Sequence, residues 1–230
     1  MKLSKEQIER LYKFTRQHSV EYYDLQTELV DHLANSIEEQ WQQNPKLSFE
    51  DALQIEFKKF GVFGFLDVVE KRQIALNKKY NKIVWSHFKD FFTLPKIIGT
   101  IITNVVVFFI VKNSFNKFDI LFFSFLIVLF SLFFSTIYLK HMNKKKNKLT
   151  GKKWLFKDII YNCASLTGMA YLPIQIIIHS KGIVNTNIGL FITCFFIVSM
   201  ALIEYIIIVE IPSKAEEYLK ETYPEYGFVE

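Results

Sequence analysis

The sequence predicts an all-α chain in two parts, a small cytoplasmic helical domain followed by a four-helix transmembrane bundle. Three observations carry this expectation. Apolar residues in 1–92 recur at the three- and four-residue spacing of amphipathic helices. Residues 97–209 hold four long apolar runs. Lysines crowd between the second and third of these runs and are sparse between the others. Half of the 230 residues are hydrophobic and 24 are Phe, but this content is concentrated after residue 96, the pattern of a polar domain joined to a membrane domain.

The N-terminal part begins with Ser4-Lys5-Glu6-Gln7, a capping-box pattern, followed by Ile8, Leu11 and Phe14 on one helical face. A second helix is expected over about Tyr22–Gln42, with Leu25, Leu29, Leu33, Ile37 and Trp41 in a buried stripe. Asp24, Glu28, Asp31, Glu38 and Glu39 fall off that stripe and are expected to be solvated. Asn44-Pro45 stops the helix, and Ser48 caps a third whose expected buried stripe is Phe49, Leu53, Phe57 and Phe60. Gly61 stands where a helix closes in a left-handed conformation. A fourth helix from about Gly64 is expected to bury Leu66, Val69, Ile74 and Leu76 and to end in the lysine-rich stretch 78–82. Residues 83–92, with Trp85 and Phe88, read as a separate amphipathic segment in the headgroup layer. The expected domains are therefore 1–80, an interfacial linker 81–94, a transmembrane domain 95–210 and a tail 211–230.

The four spans are expected over Ile97–Val111, Ile120–Leu139, Ile159–Ile178 and Ile188–Val209, the third kinked at Pro173. Residues 140–157 carry eight lysines and no acid, whereas residues 1–90 balance 14 basic against 14 acidic residues. The net charge of +5 therefore orients the chain and does not form a nucleic-acid surface. The positive-inside rule puts this stretch, the N-terminal domain and the tail in the cytoplasm, in a multi-pass inner-membrane protein. Lys144, Lys145 and Lys146 are the expected contacts to anionic lipid headgroups, beside Trp85 and Phe88. MKLSKEQIERLYKF has no apolar signal region, so the first span is expected to direct insertion.

No catalytic constellation is legible. Gly151-Lys152-Lys153 lacks the upstream glycine of a phosphate loop, and no G-x-S-x-G or H-E-x-x-H element occurs. Cys163 and Cys194 both lie in apolar runs and read as small buried residues. No enzyme activity, cofactor or metal site is expected. Within the spans, Glu204, Asn104, Asn162 and Gln175 are the candidate functional polar groups. Glu204 is expected either to reach the interface or to pair with an inner lysine.

Glu28-Leu29-Val30-Asp31-His32-Leu33, Ile37-Glu38-Glu39, Ser48-Phe49-Glu50-Asp51-Ala52-Leu53 and Phe60-Gly61 together resemble the helical prefix domain of bacterial permeases, the HAAS-type signalling domain. The resemblance covers about residues 20–70. It implies a non-catalytic signalling or accessory module whose cytoplasmic protein partner is a PadR-like transcription regulator or a transporter subunit. Glu28, Asp31, His32, Glu38 and Glu39 are then the expected partner-binding residues. A small transporter or channel using Glu204, Asn162 and Gln175 is the alternative.

Overall fold

The computed structural model describes residues 2–162 and 182–228. Among them the chain is helical, with no strand: α1 Lys5–Gln17, α2 Tyr23–Gln43, α3 Phe49–Lys58, α4 Leu66–Asp90, α5 Lys96–Lys112, α6 Lys117–Thr150 and α7 Leu155–Asn162. α8, Asn187–Ser213, is followed by α9, Ala215–Thr222. The chain divides into two compact units. The first comprises Met1–Leu76, Lys146–Asp158 and Tyr223–Glu230, and the second Asn77–Lys145 and Ile159–Thr222.

In the first unit the capping expectations hold. Ser4 Oγ accepts from the Gln7 amide while the Gln7 side chain accepts from the Ser4 amide. Ser48 Oγ accepts from the Asp51 amide at 3.1 Å. The α2 stripe is buried as spaced, from Leu25 through Leu29, Leu33 and Ile37 to Trp41, whose indole donates to the Leu47 carbonyl at 2.9 Å. Asp24 departs from expectation: it is 6% exposed and belongs to the core.

α3 and α4 also bury a different face from the one expected. α3 buries Ala52, Leu53 and Glu56, leaving Phe49, Phe57 and Phe60 half-buried. Glu56 is satisfied there by the Gln40 side chain and by Lys59 Nζ at 2.6 Å. In α4, Leu76 is buried but Leu66 and Ile74 are exposed, and Phe65 just before the helix enters the core instead. The phenylalanines are drawn to a shared aromatic cluster: Phe57 and Phe65 pack edge-on at 5.0 Å, and both contact Phe14 and His18. Gly61 and Gly64 bracket the α3–α4 turn with φ of +75° and +54°, values that disfavour a β-carbon. α4 itself continues without a break to Asp90, so residues 83–90 extend that helix and form no separate segment.

In the second unit, α5 packs on α8. Val111, Leu121, Val184, Leu190, Cys194 and Ile197 form its core. Among the described residues two helices, α6 and α8, are long and apolar enough to cross a membrane; at 1.5 Å per residue they extend about 51 and 40 Å. Only 11% of the most apolar stretch of α6 is buried; Phe125 packs inward, whereas Phe123, Ile127, Phe130, Phe133, Phe134 and Ile137 face outward. α5 is 17 residues, about 25 Å, which is short of a hydrocarbon core of about 30 Å. α6 runs on to Thr150, so Lys140 through Lys148 are helical and not part of a loop. Of the expected third span, only the first residues, to Asn162, are described. Pro173, Gln175 and Cys163 lie outside the described residues.

Candidate functional site

The expected partner face divides into three behaviours. Glu28, Asp31 and Glu39 are exposed and make no ion pair among the described residues, so three carboxylates of α2 stand in solvent. Asp31 only accepts a weak hydrogen bond from Asn35 on its own helix, at 3.4 Å. Glu38 is an internal fastener, because its Oε1 accepts from the Leu3 amide at 2.9 Å. His32 is exposed with its ring edge-on to Phe60 at 5.9 Å, which sets the α3–α4 turn beside the acidic face of α2.

That turn carries the least expected feature of the domain. Val62 is 98% exposed and Phe63 67% exposed, with Leu66 exposed one turn later. A large apolar side chain gains about 1.5–3 kcal/mol by leaving water. Here three are held in water by a turn whose two positive-φ glycines fix its path. Polarity patterns predict a turn at Gly61 but give no sign that its tip is apolar and outward-facing.

A second constellation lies at the N-terminus of α2. The first amide of that helix, Tyr23, donates to the Lys153 carbonyl at 2.7 Å, satisfying a donor that no Tyr22 side chain caps. Asp24 Oδ1 accepts from the Leu155 amide at 3.1 Å, while Oδ2 has no hydrogen bond although the Tyr223 hydroxyl lies beside the carboxylate. Burial raises the Asp24 carboxyl above its ordinary value, against the opposing pull of Tyr223, the Leu155 amide and Arg72. Burial, then the neighbouring Asp24 charge, push the Tyr223 phenol far up, so its hydroxyl stays protonated. Trp154 sits among Tyr23, Tyr223 and Tyr226 with ring centroids 5.0–5.3 Å away. Three lysines of the lysine-rich stretch 140–157 are drawn in as well. Lys152 and Lys153 lie over Tyr23 and Tyr22, and Lys157 is buried with Nζ donating to the Tyr226 hydroxyl at 3.2 Å. Sequence reasoning missed this knot because its parts are about 130 and 70 residues apart and none follows a motif.

In the second unit, Trp85 is exposed and stacks on Phe88 at 5.5 Å with Lys89 above it, an aromatic and basic surface of the kind that suits a headgroup layer. Lys144, Lys145 and Lys146 are exposed on α6. The opposite side of the same α4 turn carries a polar cluster. His87 Nδ1 lies 3.0 Å from Glu210 Oε1, and Nε2 lies 2.6 Å from the Tyr218 hydroxyl. The Glu210 contact is a close ion-pair approach, not an aligned hydrogen bond.

Of the four polar candidates expected in the spans, Asn104, Asn162 and Glu204 fall among the described residues. Asn104 is buried in α5 with Oδ1 unsatisfied. Asn162 is half-buried at the end of α7, and Gln175 lies outside the described residues. Glu204 faces α6, with Ser131 beside it on the wall of the same groove. This groove, of about 300 Å³, is also bordered by Ser135, Ala201 and Tyr205. Among the described residues no lysine lines this groove and no ion pair of Glu204 with an inner lysine is formed. The π-helical turn Ile206–Glu210 begins two residues later, a wide turn often found at functional positions. Among the described residues no group of His, Cys, Asp and Glu is placed to hold a metal. Comparison with protein-family models, with curated proteins and with solved structures returned no match.

Proposed function

We propose that this chain is a four-span regulatory or accessory protein of the inner membrane, whose cytoplasmic helical domain docks a protein partner. The partner is a transcription regulator or a transporter subunit. The observation that carries the reading is the Gly61–Gly64 turn, which holds Val62 and Phe63 in water beside the unpaired carboxylates of Glu28, Asp31 and Glu39. An apolar tip rimmed by charge is the composition of a binding surface: the tip supplies the buried contact and the carboxylates orient a basic partner. The resemblance of residues 20–70 to permease-prefix domains supports the same reading.

Connectivity supports the topology. Residues 1–76, 146–158 and 223–230 close into one compact unit, and such a unit occupies one side of a membrane. The chain between 76 and 146 must then cross an even number of times, as must the chain between 158 and 223. α6 supplies one crossing in the first interval, and the apolar run of α5 is available for the other. In the second, α8 supplies one and the apolar run 159–178 is available for the other.

The test replaces both exposed residues, Val62→Ser and Phe63→Ser, in the full chain. Crosslinking in native membranes is followed by mass spectrometry. Because neither side chain is buried, melting behaviour should be unchanged while recovery of the soluble partner falls at least tenfold. Equal recovery from wild type and variant refutes this docking surface.

A further inference from the structure

The groove beside Glu204 supports a second interaction. A carboxylate at lipid depth is unfavourable unless it is paired. Glu204 lies five residues before Val209, about 8 Å along the helix from the expected end of the span. Among the described residues the polar neighbour beside its carboxylate is Ser131, whose hydroxyl can donate a single hydrogen bond and carries no charge. The rest of the lining is small, as at Ser135 and Ala201, or apolar, as at Ile127 and Val128, with the Tyr205 ring at its edge. Ser131 and Ser135 stand one turn apart on α6 with Ala201 facing them from α8. Small residues in this arrangement let another helix approach closely.

The charge of the occupant follows from what this chain lacks. None of the runs 97–111, 120–139, 159–178 and 188–209 contains a Lys or Arg, so a second copy has no fixed cation to bring to that depth. We infer that the α6–α8 groove seats a transmembrane helix of a different protein, one bearing a Lys or Arg within about two turns of its cytoplasmic end. That side chain pairs with Glu204, and the partner backbone lies against Ser131, Ser135 and Ala201. The interaction is separate from the cytoplasmic docking surface, although it rests on the membrane reading of α6 and α8.

The experiment is site-specific photocrosslinking in native membranes, with p-benzoylphenylalanine in place of Ile127 or of Tyr205, both exposed at the groove edge. An alkaline carbonate wash comes first. A chain released by the wash fails the membrane reading itself, whereas a retained chain isolates the present inference. The expected adduct is one apolar peptide carrying a Lys or Arg near its end. Its yield should fall at least tenfold with Glu204→Gln and recover when Glu204→Lys is combined with a Lys→Glu or Arg→Glu change in the partner. Ser131→Leu, an exposed position that fills the groove, should lower the yield equally and serves if Glu204→Gln is poorly folded. Adducts with lipid only, adducts with a second copy only, or a yield indifferent to Ser131→Leu would each overturn the inference.

Discussion

Replacing Trp154 by alanine probes whether three distant segments form one cooperative domain. Trp154 is 2% exposed and its ring meets Tyr23 of α2 and both Tyr223 and Tyr226 of the C-terminal segment. Truncating a buried Trp costs about 3–5 kcal/mol, most of it lost burial and an unfilled cavity, with part carried by aromatic pairs worth roughly 0.5–1.5 kcal/mol each. Against a typical domain stability of about 5–15 kcal/mol, that loss is a large fraction. At about 1.4 kcal/mol per tenfold, local opening should become about 10²- to 10³-fold more frequent. Hydrogen–deuterium exchange on the full chain in nanodiscs reads this directly. The Tyr23 and Leu155 amides, bonded to Lys153 and Asp24, should exchange faster, together with the Tyr226 amide. Ile55→Ala, at an exposed position, should change nothing beyond about 0.5 kcal/mol. If acceleration is confined to 146–158 while Tyr23 and Tyr226 keep their protection, the segments are not one cooperative unit and the reasoning fails.

Two further outcomes follow from single residues. Burial raises the Asp24 carboxyl above its ordinary 3.8, so folding favours its protonated form; that contribution is complete below about pH 4 and is lost as pH rises through the folded value. Asp24→Asn, neutral throughout, should therefore match wild type at low pH and equal or exceed it at pH 7 in pH-dependent melting, and a variant less stable only at pH 7 would contradict this sign. Gly64→Ala should cost more than Gly61→Ala in thermal unfolding, about 2 against about 1 kcal/mol. Both have positive φ, but only at Gly64 does a β-carbon meet the Phe57 ring, at 3.0 Å.

The parts of the fold legible in the sequence were those set by local physics. Ser4 and Ser48 cap helices because an oxygen one turn from orphan amides is enough to do so, and the five-residue α2 stripe is buried because its spacing leaves one apolar face. Burial of Asp24 was not legible, since its donor is the amide of Leu155, 131 residues away. For the same reason Lys157 reads as a topology signal until Tyr226 stands beside it. The lysines after Leu139 read as a loop because charge ends a span, yet lysine is a good helix former and α6 continues to Thr150. Of the expected partner residues, Glu28, Asp31, His32 and Glu39 are exposed while Glu38 is spent internally. The apolar tip at Val62 and Phe63 was hidden, because hydrophobic residues in a sequence read as core.

The measurement that tests the central claim most directly is cysteine-labelling topology in intact cells, in a chain with Cys163 and Cys194 replaced by serine. Single cysteines at Glu39, Lys145, Gly227, Phe115 and Asn185, all exposed, are challenged with an impermeant maleimide. The account predicts that positions 115 and 185 react from outside, and that 39, 145 and 227 react only after permeabilisation. External labelling at 145 or 227, or protection at 185 together with 145, would contradict four crossings and a domain assembled on one side of the membrane.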